Sequence, residues 1–447
     1  MKNFTLFCLV IFFLNSCKKD VEYDKAKAVL AFEMVDKIKL DNSLQKTSIA
    51  IPAQQKNNFW SGSLSGQNTK IENFAKNFNQ KKSLFFSQKI ALKKSSSFWS
   101  FYSGNFSDRF VFSPIIKNNK IFILDTAGTL TKFDLKHDKK IWSKRVFPRN
   151  FLKNYQTPKI GYGGGKIFAI AGINKIAAID EKDGKILWSK EISSIPVSTP
   201  ICDENFVYLS TNDNKLYALN QKDGELQWLQ SGILRPTAIF GAADLVIYRD
   251  LIVAGYSSGE IYAVDKKTGE SLWSNNLNLS RATTSDFYLN DIDATPVAKD
   301  GVIYSIGNGG LMMAINADNG NYLWKKEIAG ITDFWLAGDF LFVINNDNKL
   351  VAIHKKTGGI KWISQLPNLK NPKKPQTKFI YSGVVMAGDK LLISRLDGEL
   401  LIVSPINGEL EKTFEIGKKI SHLPVIVGGK IYFYILGKFF AELVEIE

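Results

Sequence analysis

At 447 residues the chain is long enough for two or three ordinary domains, and its 45% apolar content suffices to bury an extended core. The formal net charge of +15 points first to nucleic acid. The lysines, however, are scattered among asparagine and isoleucine along the whole chain, so the charge reads as a compositional bias and no nucleic-acid partner is expected.

Residues 1–16, MKNFTLFCLVIFFLNS, combine one early lysine with an apolar run from Phe4 to Leu14 and a small residue before Cys17. The run is too short for a permanent membrane span and reads as a secretory signal peptide. Leu14-Asn15-Ser16-Cys17 resembles the bacterial lipoprotein signal, with Asn15 departing from the usual pattern. The resemblance implies that Cys17 becomes the acylated first residue of the mature chain; an ordinary signal peptide with an incidental cysteine is the rival reading. With Cys8 removed and Cys17 carrying lipid, Cys202 stands alone and no disulfide is expected.

Residues 17–80 read as a tether. KKDVEYDKAKAVLAFEMVDKIKL can hold a short helix, and the Gln-, Asn-, Ser- and Lys-rich stretch after it reads as a leash. Deleting 61–75 is therefore expected to cost far less stability than deleting 83–91. SLFFSQKI (83–90) can be laid on KILWSKEI (185–192), with Phe86 in the place of Trp188, and reads as an outermost strand with no partner strands before it. The C-terminus supplies the opposite fragment: HLPVIVGG, KIYFYIL and KFFAELVEI are three strands without a fourth.

Between these fragments one frame recurs, clearest as AVDKKTGESLW (263–273), with alanine first, Asp or a stand-in third, Gly seventh and Trp eleventh. It returns as AIDEKDGKILW, ALNQKDGELQW, AINADNGNYLW and AIHKKTGGIKW, ending at Trp188, Trp228, Trp324 and Trp362. Degenerate copies end at Trp142 and Lys412. Each frame is an apolar strand, a Gly-containing turn and a second strand, and another β-rich pair precedes it. Four short strands repeating every 40 to 50 residues or so are the signature of a β-propeller blade. The predicted fold is all-β: one eight-bladed propeller over 81–447, of four-stranded blades, closed by strands from both termini. Turns between third and fourth strands share one face and links between blades share the other. The long links, 274–294 and 363–381, with a shorter one at 229–239, are where binding is expected.

Chemistry is sparse. His137, His354 and His422 have no His or Cys at metal-ligand spacing, no nucleophile elbow or phosphate-binding loop is present, and Gly163 to Gly165 is a turn. No catalytic residue, cofactor or metal is expected, and the protein reads as a non-enzyme.

The repeated frame resembles that of the pyrroloquinoline-quinone dehydrogenases, whose adjacent cysteines this chain lacks. A resemblance covering nearly the whole mature chain is to the BamB family of outer-membrane β-barrel assembly lipoproteins, carried by the lipoprotein signal, tether, eight repeats and split last blade. Its most specific stretches are LRPTAIFGAADLV (234–246) and DFYLNDIDATPV (286–297). The resemblance implies an outer-membrane, lipid-anchored scaffold on the periplasmic face. Its partners would be barrel precursors and the POTRA domains of the barrel-forming subunit BamA, docked through Leu234, Arg235, Asp291 and Asp293. Arg235 is followed directly by Pro236, a shorter version of the family's segment. Arg235 and Asp291 are expected in exposed links. Their alternative is local: the aspartates bond the turn before strand ATPVA and Arg235 pairs with them. The alternative functions are a quinoprotein dehydrogenase and a propeller adaptor of another envelope complex.

Overall fold

The computed structural model describes residues 38–62, 64, 72–75, 88–91, 114–125, 128–137, 139–148, 158–171, 173–233, 243–279, 290–370, 378–416, 419–420, 423–436 and 440–446. Cys17, Leu234, Arg235, Phe86 and His422 lie outside the described residues. So does the possible helix, up to residue 37.

Eight antiparallel sheets follow one another around a ring; among the described residues six have four strands in sequence order and two have five. Blades 1 to 7 span 115–145, 159–191, 201–231, 246–276, 297–327, 335–365 and 385–415. The first strands of blades 1 and 2, 2 and 3, 4 and 5, and 6 and 7 touch one another, which places the first strands toward the axis. Blade 8 is the composite: Val425–Val427, Lys430–Leu436 and Phe440–Ile446 come from the C-terminus, and Gln88–Ala91 completes it as the outer strand, Ala91 opposite Phe440 and Gln88 opposite Leu443. Closing the ring this way pairs the edge that the last C-terminal strand would otherwise leave free.

The fixed positions of the repeated frame each have a physical task. The first-position alanine lies opposite the tryptophan across the last two strands, as in Ala263 with Trp273 and Ala218 with Trp228. The third-position Asp or Asn closes the turn: Asp265 Oδ1 accepts the N–H groups of Lys267 and Thr268, both at 2.8 Å. The glycine has φ near the left-handed region, +74° at Gly269, and a Cβ there would come within 2.5 Å of the Trp228 ring. The tryptophan of one blade thus slides beneath the glycine turn of the next. Its indole N–H is donated to the carbonyl of the frame's fourth residue in that next blade: Trp188 to Gln221, Trp228 to Lys266, Trp273 to Ala317, Trp324 to Lys355 and Trp362 to Pro405, at 2.8 to 3.1 Å. Blade 1 departs from this. There Lys132 Nζ donates to the Glu181 carbonyl, and the Trp142 indole N–H has no hydrogen-bond partner among the described residues.

Part of the expected leash is built into the ring. Asp41 donates its N–H to the Ile360 carbonyl on the outer strand of blade 6 (2.8 Å), and Lys361 Nζ donates to the carbonyls of Leu44 and Gln45. The chain then crosses the face bearing the first-to-second and third-to-fourth turns. Phe59–Ser61 pairs antiparallel with Ile115–Lys117, adding a fifth, axial strand to blade 1. Phe74 bridges Gln55 and Ala387. Trp60 and Phe74 are fully buried in one cluster with Trp335, Phe342 and Val385. Two aromatic side chains and their backbone pairing hold this strap in place, where composition alone predicts solvated chain.

Candidate partner-docking face

In an antiparallel blade the second-to-third turns and the links to the next blade lie together, opposite the strap-bearing face. Between blades 4 and 5 this link face is layered. Leu277 donates its N–H to the Gly259 carbonyl, and Leu279 runs back to bond the Gly309 carbonyl. Asn278 Nδ2 donates to Ser258 O, while its side chain fills the space where Gly259 and Gly309 lack a Cβ. The returning link then inserts beneath: Ile292 donates to Tyr256 O, Ala243 donates to Ile292 O, and Asn308 donates to Asp291 O.

This geometry corrects one expectation. Asp291 is 0% exposed, wedged between the turns of blades 4 and 5, and does not stand in an exposed link. Hydrogen bonding on both sides draws the whole NDID segment inward, so Asp291 and Ile292 are both buried and Asp293 is half-buried. The structure therefore brings Asp291 and Asp293 to the same link but gives them different access to a partner. Sequence reasoning also missed three apolar residues of this face, Ile233, Ile331 and Ile380, exposed at 54%, 44% and 58%. Each sits in a link just after an outer strand or before an inner one, a placement visible only once the strands are fixed.

Towards the axis the same face carries an inter-blade staple. Asp244, at the start of blade 4, accepts the N–H of Thr199 at the start of blade 3 (2.7 Å), and Asp333 of blade 6 accepts that of Thr295 in blade 5 (2.7 Å). Lys159 lies 3.6 Å from Asp244. Burial pushes the Asp333 carboxyl up to about 6, against the opposing pull of the Thr295 hydrogen bonds and with a further push from Asp244. Because the folded-state value exceeds the ordinary 3.8, the folded protein binds more protons than the unfolded chain between these values. The stability linked to this group is full at low pH and is lost as pH rises through about 6. Asp333→Asn keeps an oxygen for the Thr295 N–H and cannot ionise. Its melting temperature minus that of the parent is expected to rise from pH 4.5 to pH 7.5; two parallel curves would contradict the assignment.

Among the described residues no group of three or more His, Cys, Asp or Glu is placed to hold a metal ion. His137 Nδ1 is within 2.9 Å of Asp134 Oδ2 inside the blade 1 turn, and His354 lies edge-on to Phe340.

Comparison with known proteins agrees with this architecture. The chain is 22% identical over 347 residues to the outer membrane protein assembly factor BamB of Moranella endobia, covering 76% of this chain and 87% of that one. Among solved structures, BamB from Moraxella catarrhalis superposes with a TM-score of 0.63 at 17% identity, covering 82% of this chain and all of the other. A europium-containing methanol dehydrogenase superposes equally well, TM-score 0.63, at 11% identity over 86% of this chain and 90% of its own, a likeness of fold alone. The sequence pattern of the family described as outer membrane protein assembly factor BamB matches residues 126–364, from the first blade into the outer strand of the sixth. With that match across more than half of its length, the chain belongs to the BamB family.

Proposed function

We propose that the protein is a non-enzymatic scaffold subunit of the outer-membrane β-barrel assembly machinery, supporting folding and insertion of barrel precursors. The observation that carries this reading is the family match, which runs through blades whose repeated Trp, Gly and Asp are all engaged in holding the ring together. A ring so occupied with its own packing offers surfaces. The link face supplies the docking chemistry: exposed Ile233, Ile331 and Ile380 as apolar contacts, with half-buried Asp293 in the link between blades 4 and 5 as a charge. Leu234 and Arg235, which follow Ile233 in the sequence, are taken as partner contacts on the family resemblance alone, and Asp291 acts from beneath by fixing the link that presents Asp293. The partner is the POTRA region of BamA. Cys17 carries the lipid that anchors the protein to the periplasmic face of the outer membrane.

Affinity purification of the full-length protein from detergent-solubilised membranes is the test. BamA is expected to co-purify, and Cys17→Ser is expected to shift the protein from the outer-membrane fraction to a soluble or uncleaved form. Recovery without any barrel-assembly subunit, or unchanged fractionation of the Cys17→Ser variant, would overturn the corresponding part of the reading.

A further inference from the structure

We propose that the axial mouth on the strap-bearing face is a binding site for extended polypeptide, held in this structure by the chain's own residues 52–62 and 72–75. The ring grips this segment largely through backbone groups. Ile115–Lys117 of blade 1 pairs with Phe59–Ser61. On blade 7, Phe74 donates its N–H to Met386 O (3.0 Å) and accepts from Gly388 N–H (2.8 Å). On blade 8, Gly428 donates to Asn57 O (2.7 Å), and Asn57 Nδ2 donates to Ile426 O (2.8 Å). These are inner-strand edges, and edges of this kind pair with any extended chain. Selectivity comes from the apolar hole that takes Trp60 and Phe74, with the Phe74 and Trp335 ring centroids 5.6 Å apart. The occupant's fit is incomplete. Whereas Trp335 donates its indole N–H to Glu72 O, the buried Trp60 indole N–H has no hydrogen-bond partner among the described residues. That defect weighs only on the resident segment, since an incoming chain with Phe there buries no unpaired polar hydrogen.

The ligand class that follows is an extended segment with spaced aromatic residues. Equating such segments with unfolded barrel strands rests on the function proposed above, but the binding itself does not. Because the strap is part of the same chain, it competes at an effective concentration of about millimolar order. A free peptide therefore binds the parent weakly, and weakening the strap without touching the ring strengthens binding.

The test uses the full mature chain and two fluorescent peptides: the sequence of residues 52–75, and an unrelated extended peptide alternating aromatic and polar residues. Phe59 and Lys117 lie directly opposite each other, at a span a disulfide can bridge. The Phe59→Cys/Lys117→Cys protein should bind neither peptide when oxidised and should bind both when reduced. Phe74→Ala, checked for a cooperative melt, should bind both at least about tenfold more tightly than the parent. Should that variant fail to fold, the oxidised and reduced forms of the double-cysteine protein still decide. Equal binding by those two forms would overturn the proposal. So would binding of the 52–75 peptide alone, which would make the site private to the strap. BamA is absent from this assay, so its failure is distinct from failure of the docking reading.

Discussion

Trp273→Ala is expected to destabilise the ring by about 3 to 5 kcal/mol, the range for removing a large buried aromatic side chain. The wedge between blades 4 and 5 is lost, the Ala317 carbonyl loses its 2.8 Å donor, and the space beneath Gly320 empties. Trp142→Ala at the blade 1–2 contact should cost clearly less. That indole is half-buried, and the carbonyl it would otherwise use is already taken by Lys132. Urea unfolding of both variants measures the difference. Equal losses would mean that the tryptophans act only as generic apolar bulk.

The second large effect belongs to the strap. Phe74 is 0% exposed and packs against Trp335 and Trp60, so Phe74→Ala should also cost about 3 to 5 kcal/mol, although it lies in a stretch whose composition reads as solvated leash. Deleting 61–75 should cost more still, because it removes Phe74 together with the Glu72 contacts to Trp335 and Gly338. From the sequence, deletion of 83–91, the outer strand of blade 8, is expected to cost far more than deletion of 61–75; the buried Phe74 removes the ground for that difference, and both deletions are expected to lower the melting temperature strongly. A 61–75 deletion melting like the parent would show the strap to be dispensable.

What the sequence revealed and what it hid have separate physical causes. The blades are legible because their rules are local and repeated. A turn needs glycine for its φ, an Asp closes it, and an alanine makes room across from a tryptophan, so residues 11 positions apart or less carry the signal. Closure is legible because Gln88–Ala91 is a strand short of partners and the C-terminus is a blade short of a strand. The strap escapes because its stability is non-local: polar residues bond to blades more than 300 positions away, as Asn73 does to Asp389. One trace of it does lie in blade 6. Gly359 occupies the place held by Lys185, Glu225, Glu270 and Asn321 in other frames, and a Cβ there would collide with Asp41 and Leu44. The docking face is intermediate. Its links are recognisable by length, but the burial of Asp291 depends on backbone bonds to turns of two different blades, which no spacing encodes.

The measurement that bears most directly on the scaffold reading is binding of the purified protein to the isolated POTRA domains of BamA. The parent is expected to bind. Asp293→Lys and Arg235→Glu, each shown to melt like the parent, are expected to lose about 2 to 5 kcal/mol of affinity, the range for breaking a desolvated charge pair. Lys222→Glu, in a third-to-fourth turn on the opposite face, reverses one charge and should bind as the parent does. Absence of binding by the parent, or equal weakening by Lys222→Glu, would contradict a docking surface on the link face.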